Sequence, residues 1–293
     1  MNTPRLFLSG SAAAAGAMTL LLLASAASAQ TRRVEKRFSV AERPVIILHN
    51  PSGRIHVKAW DRNEIVILGQ FAGSRVLVET EQVDNRVEVV TRVAGPPSSS
   101  PGDSRADFEI TVPSQTELQV RTDSGSVTVE SVHGDMSFDT VAADLALQDV
   151  EGYLVIKSVG GSLLCTRCAG RLDATSISGS FRLLQPLMHH VRLQTSSGNI
   201  FFDGSFLSRG VYVMKNYSGT IEVRFSGQDS FDLRATSLYG QVLNQAPVVP
   251  DKHRIPAPPP PSMAQGLVGS VNQGQAKVEL SSFNGTIKIL KRE

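Results

Sequence analysis

Helical periodicity is the first thing this sequence lacks: after the opening 29 residues no stretch repeats its apolar positions at 3.6-residue spacing, which excludes an α-helical or mixed domain. Charge of one sign is scarce as well. The formal net charge is +2, and removal of Arg5 with residues 1–29 leaves +1. That balance argues against a nucleic-acid binder, which needs a basic stripe. The basic residues that do gather at the ends, Arg32, Arg33, Lys36 and Arg37 and then Lys291 and Arg292, are read as solvated termini. No segment beyond the first 29 residues is apolar enough to cross a bilayer as a helix. Only 2 cysteines occur, as Cys165-Thr166-Arg167-Cys168, with no second C-x-x-C and no histidine at ligand spacing, so a zinc site has no basis. The acidic residues Asp135, Asp144 and Asp173 do not share a column, which removes the repeated carboxylate set of a polysaccharide-cleaving enzyme. The G-G-x-G-x-D run of calcium-stacking repeats, a Thr-x-Thr ladder, a G-x-S-x-G elbow, a P-loop and a dinucleotide fingerprint are all missing. No cofactor and no metal is expected.

What the chain does have is a glycine every nine residues. Gly125, Gly134, Gly152, Gly161, Gly170 and Gly179 share one register, and Ala143 fills the gap. Two residues after this position stand Val127, Met136, Leu145, Leu154, Leu163, Leu172 and Phe181; four after it stand Val129, Phe138, Leu147, Ile156, Cys165, Ala174 and Leu183. Alternation of this kind marks a strand with one buried face. A third apolar column seven residues after the glycine (Val132, Val141, Val150, Val159, Cys168, Ile177) predicts a corner residue turned back into the core. The glycine itself suits a tight bend needing positive φ, with a preceding serine (Ser124, Ser178, Ser197, Ser218) bonding the bend.

These features predict an all-β solenoid (β-helix) of short strands, two nonapeptides per coil of about 18–21 residues. The stronger corner motif recurs at Gly125, Gly161, Gly179, Gly198, Gly219 and Gly240. An early copy lies at Gly53 and a late one at Gly285. Residues 1–29 read as a signal peptide ending in Ala27-Ser28-Ala29, and 30–293 as one domain. Within it, 34–94 are N-terminal capping strands, 95–105 a loop, 108–245 regular coils, 246–265 a Pro-rich loop insertion around Pro258-Pro259-Pro260-Pro261, and 276–290 the final strands. Both cysteines fall in core columns, so they are expected to form a local disulfide or to be buried free thiols rather than a redox pair. His189-His190 is the single histidine cluster. Adjacent strand residues face opposite sides, so the pair is read as a corner or surface feature and not a chelate.

Asp107-Phe108-Glu109-Ile110-Thr111-Val112-Pro113, then Asp123-Ser124-Gly125-Ser126-Val127-Thr128-Val129, and the closing Ser281-Ser282-Phe283-Asn284-Gly285-Thr286-Ile287-Lys288-Ile289 resemble the bacterial putative-adhesin family, a β-strand-repeat domain of exported proteins. The resemblance covers most of residues 40–290 and implies surface attachment with no shared catalytic residues. The Pro-rich insertion and the C-x-x-C depart from that pattern. The functional expectation is an exported, non-enzymatic binding protein of the surface or periplasm, with an envelope glycan or a protein as partner. Its contact flank is expected to be Ser126, Asp135, Asp144, Tyr153, Ser162, Arg171 and Ser180. A periplasmic structural or envelope-stress scaffold and a carbohydrate-active β-helix enzyme are the alternatives.

Overall fold

The structure, a computed structural model, describes residues 32–71, 75–95, 105–250 and 265–292. Residues 1–29, read above as a signal peptide, most of the stretch 95–105 read as a loop, and the four-proline run lie outside them. All the regular elements among the described residues are β-strands, and most of them stack as a solenoid-like parallel sheet with antiparallel strands at its two ends. Partners in neighbouring coils stand 18 residues apart at first, as in Leu118↔Met136 and Val127↔Leu145. The offset is 19 at Leu172↔Val191 and 21 at Val191↔Tyr212. Each register keeps apolar side chains over apolar side chains. Leu118, Met136, Leu154, Leu172, Val191 and Tyr212 form one buried column, each 1 % exposed or less. Burying a side chain of this size contributes roughly 1.5–3 kcal/mol, so a one-residue slip that turned a column outward would be strongly opposed.

The two corners of each coil are built differently, and this corrects the third apolar column. At one corner Ser131, Asp149, Arg167 and Gln185 all adopt positive φ, between 51° and 58°. That left-handed step swings the next residue inward, so Val132, Val150 and Cys168 are buried at 1 % exposure or less. At the opposite corner no such step precedes Val141, Val159 and Ile177, which are 47 %, 46 % and 58 % exposed. One column in sequence is therefore two in space, alternately core and surface.

The opposite corner explains the glycines at 53, 125, 161, 179, 198, 219, 240 and 285, while Gly134, Gly152 and Gly170 follow the left-handed step and stack on one another in the same way. Gly125 stacks on Gly53 with φ of +113°, and a Cβ there would lie well under 3.0 Å from the Gly53 carbonyl oxygen. Gly179, Gly198, Gly240 and Gly285 do not have positive φ, yet a Cβ on each would meet the carbonyl oxygen of the glycine in the coil below. Close stacking, rather than backbone freedom alone, requires glycine here. Serine before glycine does bond the bend: the hydroxyls of Ser178, Ser197 and Ser218 donate to Val159 O, Ile177 O and Ser196 O at 3.1, 3.5 and 3.4 Å. The deeper contribution comes from three residues before the glycine. Thr195 Oγ1 accepts from Gly198 N and donates to Gly179 O; Ser237 Oγ accepts from Gly240 N and donates to Gly285 O. Asn50, Thr122, Thr140, Asn216 and Ser282 hold the same position and are buried. Except at Thr140, whose buried hydroxyl has no partner, this polar ladder satisfies corner backbone groups that the strands leave unpaired.

At the N-terminal end, strand Val45–Trp60 bends at Gly53 and lies in register on Glu117–Glu130. Ala106–Pro113 and Arg86–Val93 pair along its other edge. Antiparallel strands Glu64–Phe71, Val76–Val83 and Arg32–Ser39 complete this end. The basic residues at 32–37 thus belong to a strand, where Arg37 pairs with Glu35 at 2.8 Å.

The C-terminal end departs from chain order. Val211–Asn216 and Thr220–Phe225 pair not with the next strands in sequence but with Ala276–Ser282 and Thr286–Lys291. Those final strands pair on their other edge with Phe231–Ser237 and Val242–Gln245. The last coil in sequence is thus inserted one layer inside the stack. Gln265–Val271, unannounced by the repeat, pairs antiparallel with Phe231–Ser237.

Candidate binding surface

The flank expected to meet a partner divides into two. Asp135, Tyr153 and Arg171 stack on one side of the solenoid, and Ser126, Asp144, Ser162 and Ser180 on the other, because the strands that follow them pair in two separate stacks. Much of this polar surface is committed to the fold. Asp144 accepts from Ser162 N at 2.8 Å and Asp135 from Tyr153 N at 3.1 Å. Ser180 Oγ accepts from Asn199 N and Asn199 Oδ1 from Thr220 N. Side chains one residue after the glycine position therefore cap the backbone of the next coil.

Around Tyr153 the remaining charges neutralise one another. Tyr153 donates to Asp173 at 2.8 Å, Arg171 pairs with the same carboxylate at 2.9 Å, and His190 and Arg192 stand 3.7 Å from it. Burial pushes the Asp173 carboxyl up, but hydrogen bonds from Tyr153 and Arg171 and the charges of Arg171 and His190 outweigh it, leaving a lowered pKa. His189 and His190 both face outward because a bulge at Gly170/Arg171 breaks the alternation of strand Leu187–Thr195. They lie within the strand rather than at a corner. Cys165 and Cys168 are joined as a disulfide and fully buried. Among the described residues no group of three or more metal-ligating side chains converges.

An exposed apolar ridge runs up the glycine corner. It rises through Val141, Val159 and Ile177, passes the small pair Ser196-Ser197, and continues as Tyr217, Phe283 and Tyr239. Corner backbone bonds fix the layer order: Ser178 N to Val159 O, Ser196 N to Ile177 O, Tyr217 N to Ser196 O, Asn284 N to Tyr217 O and Tyr239 N to Phe283 O. The Tyr217 and Phe283 rings lie parallel within 9° at 4.4 Å, and Tyr239 meets Phe283 at 5.0 Å and 63°. Tyr217 and Tyr239 are 55 % and 56 % exposed and Phe283 36 %. Aromatic rings in mutual contact and this open have apolar area to bury and little side-chain entropy left to lose. Sequence reading missed the set because the rings are far apart in the chain. The one available signal is the apolar character of Val141, Val159 and Ile177, which the repeat pattern places in the core.

Among curated proteins none matches the chain. Of solved structures, a putative adhesin from Bacteroides fragilis is 12% identical over 88% of this chain and 97% of its own, with a TM-score of 0.46. A putative cell adhesion protein from Clostridium sporogenes is 12% identical over 89% and 100%, TM-score 0.26. A putative adhesin from Parabacteroides merdae is 8% identical over 89% and 97%, TM-score 0.26. The Toastrack DUF4097 family model matches residues 46–290. That span runs from the first bent strand to the last, and the chain belongs to the Toastrack DUF4097 family.

Proposed function

We propose that this protein is an exported, non-enzymatic binding module of the cell envelope, adhesin-like in its work, which meets its partner through the ridge from Val141 to Tyr239. One observation carries the reading: three aromatic side chains stand exposed in contact at one corner, Tyr217 stacked on Phe283 and Tyr239 edge-on to it, while much of the flanks' polar surface is engaged by the fold itself. Exposed apolar surface in a contiguous, ordered patch is characteristic of interaction sites. In the same reading residues 1–29 are an export leader, residues 30–293 are one domain whose coils are each two nine-residue units, and the Cys165–Cys168 bond forms in an oxidising compartment. The partner is an envelope glycan or an envelope protein.

The experiment is sedimentation of purified protein with envelopes of the source cells, comparing the wild type with a Tyr217→Ala/Phe283→Ala double variant. Saturable retention that falls at least tenfold in the double variant is expected. Equal retention of both proteins, or none of either, would replace attachment by a scaffold role.

A further inference from the structure

We infer that the notch beside Tyr217 binds a single pyranose ring of a neutral glycan; this rests on the ridge being the contact surface. From Val141 to Phe283 each coil contributes to the ridge the residue two positions before its corner glycine or alanine, whereas Tyr239 stands one before Gly240. Around the notch these are Val159, Ile177, Ser196, Tyr217 and Phe283. Ser196 is the short one, set between Ile177 at 58 % exposure and Tyr217 at 55 %. Phe283 covers one face of the Tyr217 ring. The other face looks across the missing side chain toward Ile177.

Coils of a parallel sheet rise about 4.8 Å each, so the empty layer above Ser196 is about one ring thick. A pyranose chair matches that thickness. Its axial C–H groups carry partial positive charge and stack on the electron-rich face of an aromatic ring. Ser196 and Ser197 lie at the floor of the notch and offer hydroxyls to the sugar's equatorial oxygens; Ser197 already donates to Ile177 O, but only at 3.5 Å, and keeps acceptor capacity. The three corner positions before and including each glycine or alanine carry no Asp, Glu, Lys or Arg from Val141 through Tyr217 to Phe283 and Tyr239. The corner itself offers a ligand no counter-charge, and nearby Lys215 is paired with Glu279 at 2.8 Å, which favours a neutral glycan over an anionic polymer.

The test uses the full mature chain and two neutral probes, chitohexaose and maltohexaose, with anionic alginate oligomers for comparison. Binding is read by saturation-transfer NMR and by calorimetric titration. Saturation of the probe's ring C–H protons and at least tenfold weaker binding in Tyr217→Ala are expected. Ser196→Tyr, which fills the notch and leaves Tyr217 in place, is expected to weaken binding equally. Undiminished binding in Ser196→Tyr overturns the notch, and failure of both neutral probes to bind overturns the glycan. If envelope retention still depends on Tyr217 and Phe283 after such a failure, the contact surface stands with a protein as its partner. If retention is also indifferent to them, both readings fall.

Discussion

At the scale of the residue, two adjacent glycines separate two reasons for having no side chain. Gly161 has φ of +83° and sits directly over the Ala143 carbonyl, so any Cβ clashes with backbone that cannot move aside. Gly160, its neighbour, has no positive φ, and its nearest obstruction is the Ser178 hydroxyl at 3.3 Å. Gly161→Val is expected to lower stability by at least about 1 kcal/mol from the backbone alone, with the clash added. Gly160→Ala should fall within about 0.5 kcal/mol of the wild type, because it also restricts the unfolded chain. Thermal melts of the two variants decide the matter, and equal melting temperatures would remove the stacking argument. The nine-residue period identified Gly161 in the sequence and passed over Gly160. Period marks the constrained position better than residue type does. The left-handed Asp149 and Arg167 carried no such mark, since Asp and Arg are ordinary surface residues until a corner imposes φ near +50° on them.

At the scale of the element, Tyr212 shows how strands with longer connections are tied together. Its hydroxyl donates to Met188 O at 2.6 Å in strand Leu187–Thr195 and accepts from Leu207 N at 2.8 Å in the turn before its own strand. Its ring packs on Phe206 and Phe202 with centroids 4.7 and 5.8 Å away. Burial pushes its pKa up to about 12; the Leu207 N–H opposes this and the Asp229 charge adds to it. A phenol unfolded titrates near 10. Folding therefore favours the neutral form, and the associated stability is complete below about pH 10 and lost as pH rises through 12. The size is roughly 2–3 kcal/mol. Tyr212→Phe is expected to begin less stable at pH 7, by about 1–3 kcal/mol for the unpaired Leu207 N–H and Met188 C=O, and then to lose less between pH 10 and 12. Melting temperatures of both proteins across that range test it; parallel curves would mean that Tyr212 does not titrate with unfolding. The strand Val211–Asn216 was legible from its alternation, and Tyr212 as a core position could be read with it. Its two hydrogen bonds were not, because Met188 comes within reach only when the 21-residue coil is stacked, and the Leu207 N–H is aimed at the hydroxyl only by the turn that leads into the strand.

At the scale of the whole molecule, the final coil is the joint of the structure. Ala276–Ser282 and Thr286–Lys291 are sandwiched between the coil of 211–225 and that of 231–245. Removing residues 276–293 leaves both flanking coils with open edges and apolar ends. Such a truncation is expected to lose the cooperative melt of the 200–250 region and to be cut there by limited proteolysis, while 45–195 stays resistant. A truncated protein as resistant as the full chain would show that the outer coil docks without its neighbour. The same threading places Phe283 between Tyr217 and Tyr239, a spatial order that reverses the order of the last two in the chain. Sequence by itself determined the all-β character, the corner glycines, the alternating core columns and the end strands, because each follows from local sterics and from the period of apolar residues. Tertiary structure alone decided which corner faces water, which coils become neighbours and where the aromatic ridge forms. Those outcomes depend on the left-handed step at one corner and on pairings between strands far apart in the chain, 66 residues for Tyr212↔Val278 and 72 for Ile46↔Leu118, and no local pattern in the chain encodes either.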